Sequence, residues 1–297
     1  MQAAASLPSS PSLAGRVPWL LAPYLLFFLA FWLLPLAGGV RLSMQSDVLY
    51  GDSEYVGRKH YRALLQDPRL LKALANTALF AAGSIVLILP LALLLAQALR
   101  ETWRGWRPVL TFALLLPGLT PPVVLALLFL LVFHGEAGLL NQWFVLPLGG
   151  QAINWLKDPD YILPALVLQS VWRWTGFVTF FFVAGMNAVP AALYEAAHLE
   201  TTSRWSVWRH VTLPRLRPVI LFAVIYLVID AFSLFAGAYV LLGGSGGTAD
   251  AGLLLVSYIY HQAFVLGKFG TAAAVSVLVS PLLLGLLWLC FLVPKRA

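Results

Sequence analysis

The chain has 297 residues, 61% of them hydrophobic and 10% charged, with a formal net charge of +7. A soluble globular domain carries roughly 45–50% apolar and about 25% charged residues, so the composition excludes a water-soluble fold and points to an all-α protein in a bilayer. The basic excess suits loops on the cytoplasmic side of a membrane better than contact with nucleic acid, and the single Cys290 excludes an intrachain disulfide or a thiolate metal site.

Residues 1–15 are small, Ser/Pro/Ala-rich and almost uncharged, the composition of a disordered tail. One membrane domain is expected over 16–297. Residues 18–40 are apolar throughout, too long for the roughly 7–15-residue core of a signal peptide. They fit a first span, which needs about 20 residues to cross about 30 Å. A polar loop follows, then a short amphipathic helix carrying Tyr61, Leu64 and Leu65. The second span is expected over 73–99, with Asn76, Thr77 and Pro90 inside it. A tight basic turn (Arg100, Arg104, Arg107) holds Trp103 and Trp106 at headgroup depth.

The third span, 108–133, is interrupted by Pro117-Gly118 and Pro121-Pro122. Such breakers require an irregular helix that faces protein or a cavity. A fourth span over 163–189 contains Trp172-Arg173-Trp174, and a fifth over 219–242 contains Asp230. Gly243 to Gly247 form a flexible link. Residues 253–264 are too short to cross, and 270–293 form the sixth span. Lys and Arg counts favour six spans with both termini cytoplasmic, although the first outer loop runs against the trend.

That orientation places 190–218 in the cytoplasm. It is the longest segment that is neither apolar nor Gly-rich, and it is basic. Residues 191–201 are good helix formers, with Pro190 suited to the first turn and Thr212-Leu213-Pro214 expected to stop the helix before them. Composition alone also fits a helix lying on the membrane surface. The order of residues narrows this. Glu195-Ala196-Ala197, then Glu200, then Val211-Thr212-Leu213-Pro214 resembles the EAA loop of binding-protein-dependent ABC importer permeases, with Glu200 at the family's Asp and Trp208 at its spacer aromatic. Thr201 stands where the family has Gly; a β-branched residue resists positive φ.

Lesser stretches agree: Val56-Gly57 to Tyr61-Arg62, Asp67-Pro68 and Asn76-Thr77, Gly138 to Asn141, Trp172, and Leu242-Gly243-Gly244 with Tyr258-Ile259-Tyr260 and Phe264. They resemble the carbohydrate-type, first-of-pair permeases of maltose, trehalose and glycerol-phosphate importers. The resemblance implies a permease that pairs with a second, homologous permease and receives solute from an extracytoplasmic binding protein. Two ATPase subunits would dock on the coupling helix through Glu195, Ala196, Ala197, Glu200, Thr201, Leu213 and Pro214. No cofactor is expected on this chain, since ATP and Mg²⁺ would sit on the ATPase subunits.

The chain has no phosphate-loop signature, and its five histidines show no metal spacing. Asp230 is costly in hydrocarbon; it either contacts solute or a partner, or makes a helix–helix hydrogen bond. Trp172, Trp174 and Tyr239 are further pathway candidates, as stacking platforms for a sugar or as packing anchors. Arg173 is expected to snorkel to the outer surface. An importer for another solute such as a polyamine is the alternative within the class. An ion-gradient-driven transporter is the alternative outside it, and would want ionisable groups in several spans.

Overall fold

The computed structural model describes residues 17–47, 54–102, 105–201 and 203–292. The tail expected over 1–15, the interfacial Trp103 and Arg104, and Lys295 and Arg296 lie outside these residues. Among the described residues the secondary structure is helical apart from one isolated antiparallel bridge, Gln45 to Tyr55. Helices close their own backbone hydrogen bonds, which is what a hydrocarbon environment demands.

Helix α1 (Val17–Phe28) runs through a π-helical turn at Leu29–Leu33 into α2 (Leu34–Leu42). After the short α3 (Lys59–Leu64) comes α4 (Pro68–Glu101), 34 residues long. At 1.5 Å per residue α4 reaches about 51 Å, well beyond a hydrocarbon core of about 30 Å. It starts earlier than the apolar count suggests because Asp67 accepts the Arg69 backbone N–H at 2.8 Å and Pro68 occupies the first turn. The same Asp-Pro device, with Asp158 accepting from the Asp160 N–H, starts α7 (Pro159–Asn187) ahead of the expected 163.

The third segment departs from a single interrupted span. It is two helices, α5 (Arg107–Leu119) and α6 (Pro122–Val132), bent by 98°. Thr120 and Pro121 both take extended ψ values, 132° and 138°. Each precedes a proline, and a proline bars the residue before it from helical ψ. Among the described residues five helices are long and apolar enough to cross a membrane, or six where the bent pair counts as one span.

The fifth span also differs. Helix continues unbroken from Arg204 to Ser233: α9 (Arg204–Val207), a π-helical turn at Trp208–Thr212, then α10 (Leu213–Ser233). Thr212-Leu213-Pro214 therefore does not stop the helix. The wide turn, closed by Leu213 N–H to the Trp208 carbonyl, moves the carbonyl that Pro214 would strike and uses up no N–H that proline lacks. Leu234 and Phe235 leave helical geometry, so α11 (Ala236–Leu241) is separate and Tyr239 is not part of the span. Helix α8 (Ala191–Glu200) precedes Arg204; α12 (Leu255–Tyr260) and α13 (Phe269–Leu292) complete the chain.

The bundle is organised on α4 against α7. Ala73, Ala92 and Ala96 on α4 are fully buried, and small residues let two helices approach closely in lipid. Helix α5 crosses α7 more tightly still: a Cβ built on Gly176 would lie 1.7 Å from the Leu114 carbonyl oxygen. One core cluster surrounds Phe80, Phe133, Ile162 and Tyr258; a second surrounds Ile88, Phe182, Met186 and Leu216. The α1–α2 helix meets the bundle through α2 against α13, yet none of its most apolar stretch is buried, and Tyr24, Phe27, Phe28, Phe31 and Trp32 stack along it.

At the Pro68 end of α4 the loop before α12 is locked by polar contacts. Arg69 donates twice to Asp250 (2.8 and 2.9 Å), Lys72 donates to the Ala249 carbonyl (2.6 Å), and Asn76 donates to the carbonyls of Asp250 and Leu253. Thr77 Oγ1 accepts the Leu255 N–H, and the Tyr258 hydroxyl donates to Asp67 at 2.6 Å. The lock holds Ala249 and Asp250 at φ of 53° and 57°, a region that L-residues enter at a cost of about 1 kcal/mol or more.

Two outcomes follow from this packing. Gly176→Val should lower the melting temperature of the detergent-purified chain, with a loss of at least about 2 kcal/mol from overpacking against α5; an unchanged melt would contradict the close crossing. The Arg69 guanidinium, through its hydrogen bonds and charge, holds the Asp250 carboxyl below its ordinary value of 3.8. The lock's contribution is therefore complete above pH 3.8 and lost as the pH falls through the lower folded value. Asp250→Asn should remove that acid sensitivity and raise hydrogen exchange over 243–255 at neutral pH.

Candidate functional site

Helix α7 ends at Asn187, and Pro190, in an extended conformation, turns the chain into α8. No described α8 side chain is buried: Glu195, Ala196 and Glu200 are exposed, Ala197 is half-buried, and Leu199 is 90% exposed. Leu199 thus stands in the open beside small residues and two acids. Thr201 closes α8 at φ −151°, ψ 141°, extended backbone that a β-branched residue favours. Position 201 therefore needs no left-handed residue, and Thr serves where Gly stands in the resembled motif. Its Oγ1 accepts the Ser203 N–H at 3.2 Å, and the Ser203 hydroxyl accepts the Ser206 N–H at 3.3 Å, starting α9.

The motif's second half, Leu213 and Pro214, lies half-buried at the base of α10. The structure thus sets Glu195, Ala196, Ala197, Glu200 and Thr201 on or beside one protruding helix, with Leu213 and Pro214 where that protrusion rejoins the bundle. Between α8 and the end of α4 is an open cleft of about 500 Å³, lined by Arg100, Glu101, Tyr194, Glu195, Arg204 and Trp208 among others. Trp205 and Trp208 stack beside it at 5.1 Å.

The interior candidates separate. Trp174 is buried, and its indole N–H donates to Asp230 Oδ2 at 2.8 Å. The helix–helix hydrogen bond allowed for Asp230 is thus present, linking α7 to α10 and worth about 1 kcal/mol in a membrane. Trp174 also packs edge-on against Tyr226 and Phe177. Trp172, two residues along α7, is 47% exposed, its ring against Phe129 and away from Asp230. Tyr239 packs with Phe235 and Tyr260 in a separate aromatic group.

Arg173 corrects an expectation. Its guanidinium lies 4.6 Å over the Trp174 ring and lines the same small internal space as Asp230, Gln169 and Ser170. Its Nε and the Gln169 Nε2 are buried without a hydrogen-bond partner among the described residues. The Trp174 face holds it inward, in the same internal space as Asp230, instead of letting it reach the outer surface. Gln169 is a companion whose signal in the sequence is its spacing of four from Arg173 on an apolar helix.

Residues 88–297 match the family described as binding-protein-dependent transport system inner membrane component. The chain is 32% identical over 256 residues to the arabinooligosaccharides transport system permease protein of Bacillus subtilis, covering 86% of this chain and 81% of that protein. It is 33% identical over 266 residues to the trehalose/maltose transport system permease protein of Thermococcus litoralis, covering 89% and 88%. In fold it superposes on a chain of the bacterial alginate ABC transporter in complex with alginate pentasaccharide-bound periplasmic protein, with a TM-score of 0.80, 21% identity and 94% of each chain covered. The chain belongs to the inner-membrane components of binding-protein-dependent transport systems, and it is a multi-pass transmembrane permease of such a system.

Proposed function

We propose that this permease serves an ATP-driven importer of oligosaccharides or related sugars. It would work beside a second, homologous permease and above two ATPase subunits, with an extracytoplasmic binding protein delivering solute to the Pro68 end of α4. The observation that carries the reading is α8: an exposed helix bearing Glu195-Ala196-Ala197, standing off the bundle at the opposite end. Small side chains admit a close partner surface, and Glu195 and Glu200 supply charge for a basic cleft. The sugar assignment draws on the two relatives, named for arabinooligosaccharides and for trehalose and maltose. The binding-protein partner draws on the complex containing a periplasmic protein loaded with an alginate pentasaccharide.

In this scheme the chain performs no covalent chemistry. ATP and Mg²⁺ belong to the ATPase subunits, and the chain converts their closure into movement of its helices. Both termini then lie in the cytoplasm with α8. Asp230, Trp174 and Arg173 line the interior near mid-membrane, where a polar solute needs hydrogen-bonding groups; Trp172 and Tyr239 remain wall candidates on other faces. The acid in this interior is already engaged by an indole, which suits a pathway wall better than a free ion-coupling site.

The test is to co-express the chain with the second permease and ATPase encoded beside it, purify the complex, and screen sugar-loaded binding proteins for stimulated ATP hydrolysis. Glu195→Lys should leave membrane insertion normal and lower sugar uptake by at least about ten-fold through lost ATPase docking; unchanged uptake would remove the role given to α8. With Cys290 replaced by Ser, Leu199→Cys in intact cells should react with a membrane-permeant maleimide and not with an impermeant one. Labelling by the impermeant reagent would reverse the orientation.

A further inference from the structure

If α8 receives the stroke of an ATPase, something must carry it into the spans. Among the described α8 side chains, the hydrogen bonds to the bundle are made by Tyr194. Its hydroxyl lies 3.2 Å from Oγ1 of Thr212, which is buried in the π-helical turn at the base of α10. Its ring lies under the guanidinium of Arg100 on the last turn of α4, 5.5 Å from centroid to Cζ, with Arg100 Nη1 3.5 Å from the hydroxyl. The latter distance is long for a hydrogen bond, so the contact with α4 is chiefly cation–π. Glu195 and Glu200 make no hydrogen bond or ion pair among the described residues, and the open cleft leaves α8 otherwise unsupported on this side.

We propose that Tyr194 is a positioning residue that transmits displacement of α8 simultaneously to α4 and to the π-helical turn of α10. This rests on the permease-and-ATPase reading above. The mechanical argument is one of stiffness. At both ends, at Pro190 and at Thr201, α8 passes into extended backbone, and extended single residues swing readily. A short, rigid phenol with two rotatable bonds between two helices does not. The receiving turn is the softest place in the fifth span: it carries one residue more than an α-turn and leads into Pro214 and Pro218. A push through Tyr194 would therefore bend α10 there while α4, which is packed along its whole length, moves as a rod.

The test uses the assembled transporter in proteoliposomes and reads sugar moved per ATP hydrolysed. The expected result is that Tyr194→Phe and Thr212→Val each lower that ratio about five-fold, that the double variant is no worse than either alone, and that Tyr194→Ala lowers it further. Each variant should still co-purify with the ATPase, whereas Glu195→Lys should not. A residue that merely stabilised the fold would lower transport and hydrolysis together and leave the ratio unchanged; an unchanged ratio in Tyr194→Phe and Thr212→Val overturns the proposal. Additive losses in the double variant would also overturn it, because the two groups would then act separately. If the unaltered chain recruits no ATPase, the underlying reading fails, and that result is distinguishable because it appears before any substitution is made.

Discussion

The structure depends on one constraint: inside hydrocarbon each backbone N–H and C=O must find its partner within the protein. A chain with 19 prolines meets that constraint with difficulty, since each proline removes a donor and crowds the carbonyl four residues back. Among the described residues, three of the four π-helical turns sit two residues before a proline: Leu29–Leu33 before Pro35, Asn141–Val145 before Pro147, and Trp208–Thr212 before Pro214. In each the wide turn is closed by an N–H from the residue directly before the proline, at Leu34, Leu146 and Leu213. At Pro35 and Pro214 the chain thereby passes a proline without breaking the helix, whereas at Pro147 the wide turn runs out into a loop. Where two prolines are adjacent, at Pro121-Pro122, no such turn suffices and the helix bends by 98°.

The two ends of the long α4 helix are built differently. At Pro68 it is fastened to the Asp250 loop by a guanidinium–carboxylate pair, a lysine, an asparagine and a threonine. At Glu101 it faces an open cleft and touches α8 through a phenol ring. A lever needs this asymmetry. The fixed end holds its shape while the other end admits displacement, and local stability follows the density of buried contacts.

Much of the fold was legible from residues alone, because long apolar runs in a chain this hydrophobic have few alternatives to helix. The starts of α4 and α7 were misjudged because hydropathy falls off before the helix does; Asp67-Pro68 and Asp158-Pro159 were the better boundary marks. The unbroken course from Arg204 into α10 was hidden because Pro214 reads as a terminator unless a wide turn precedes it, and no composition announces that turn. Within the site, the exposed acid-and-alanine surface of α8 followed from the order of residues. The Trp174–Asp230 hydrogen bond did not, since it joins residues 56 positions apart and requires the α7–α10 packing to be known. The inward orientation of Arg173 is hidden likewise: its guanidinium lies over the ring of the adjacent Trp174, which is itself held by Asp230 on α10.

The π-helical turn at Trp208–Thr212 has a geometric consequence. An α-helix rotates about 100° per residue, so one surplus residue sets the azimuth of everything that precedes it relative to α10. Were the turn to relax to ordinary α geometry, the Trp205–Trp208 pair and the α8 connection would swing around the helix axis by roughly a quarter-turn. The compass bearing of the protruding helix is thus stored in a single inserted backbone unit, and Pro214 is the latch that keeps it there.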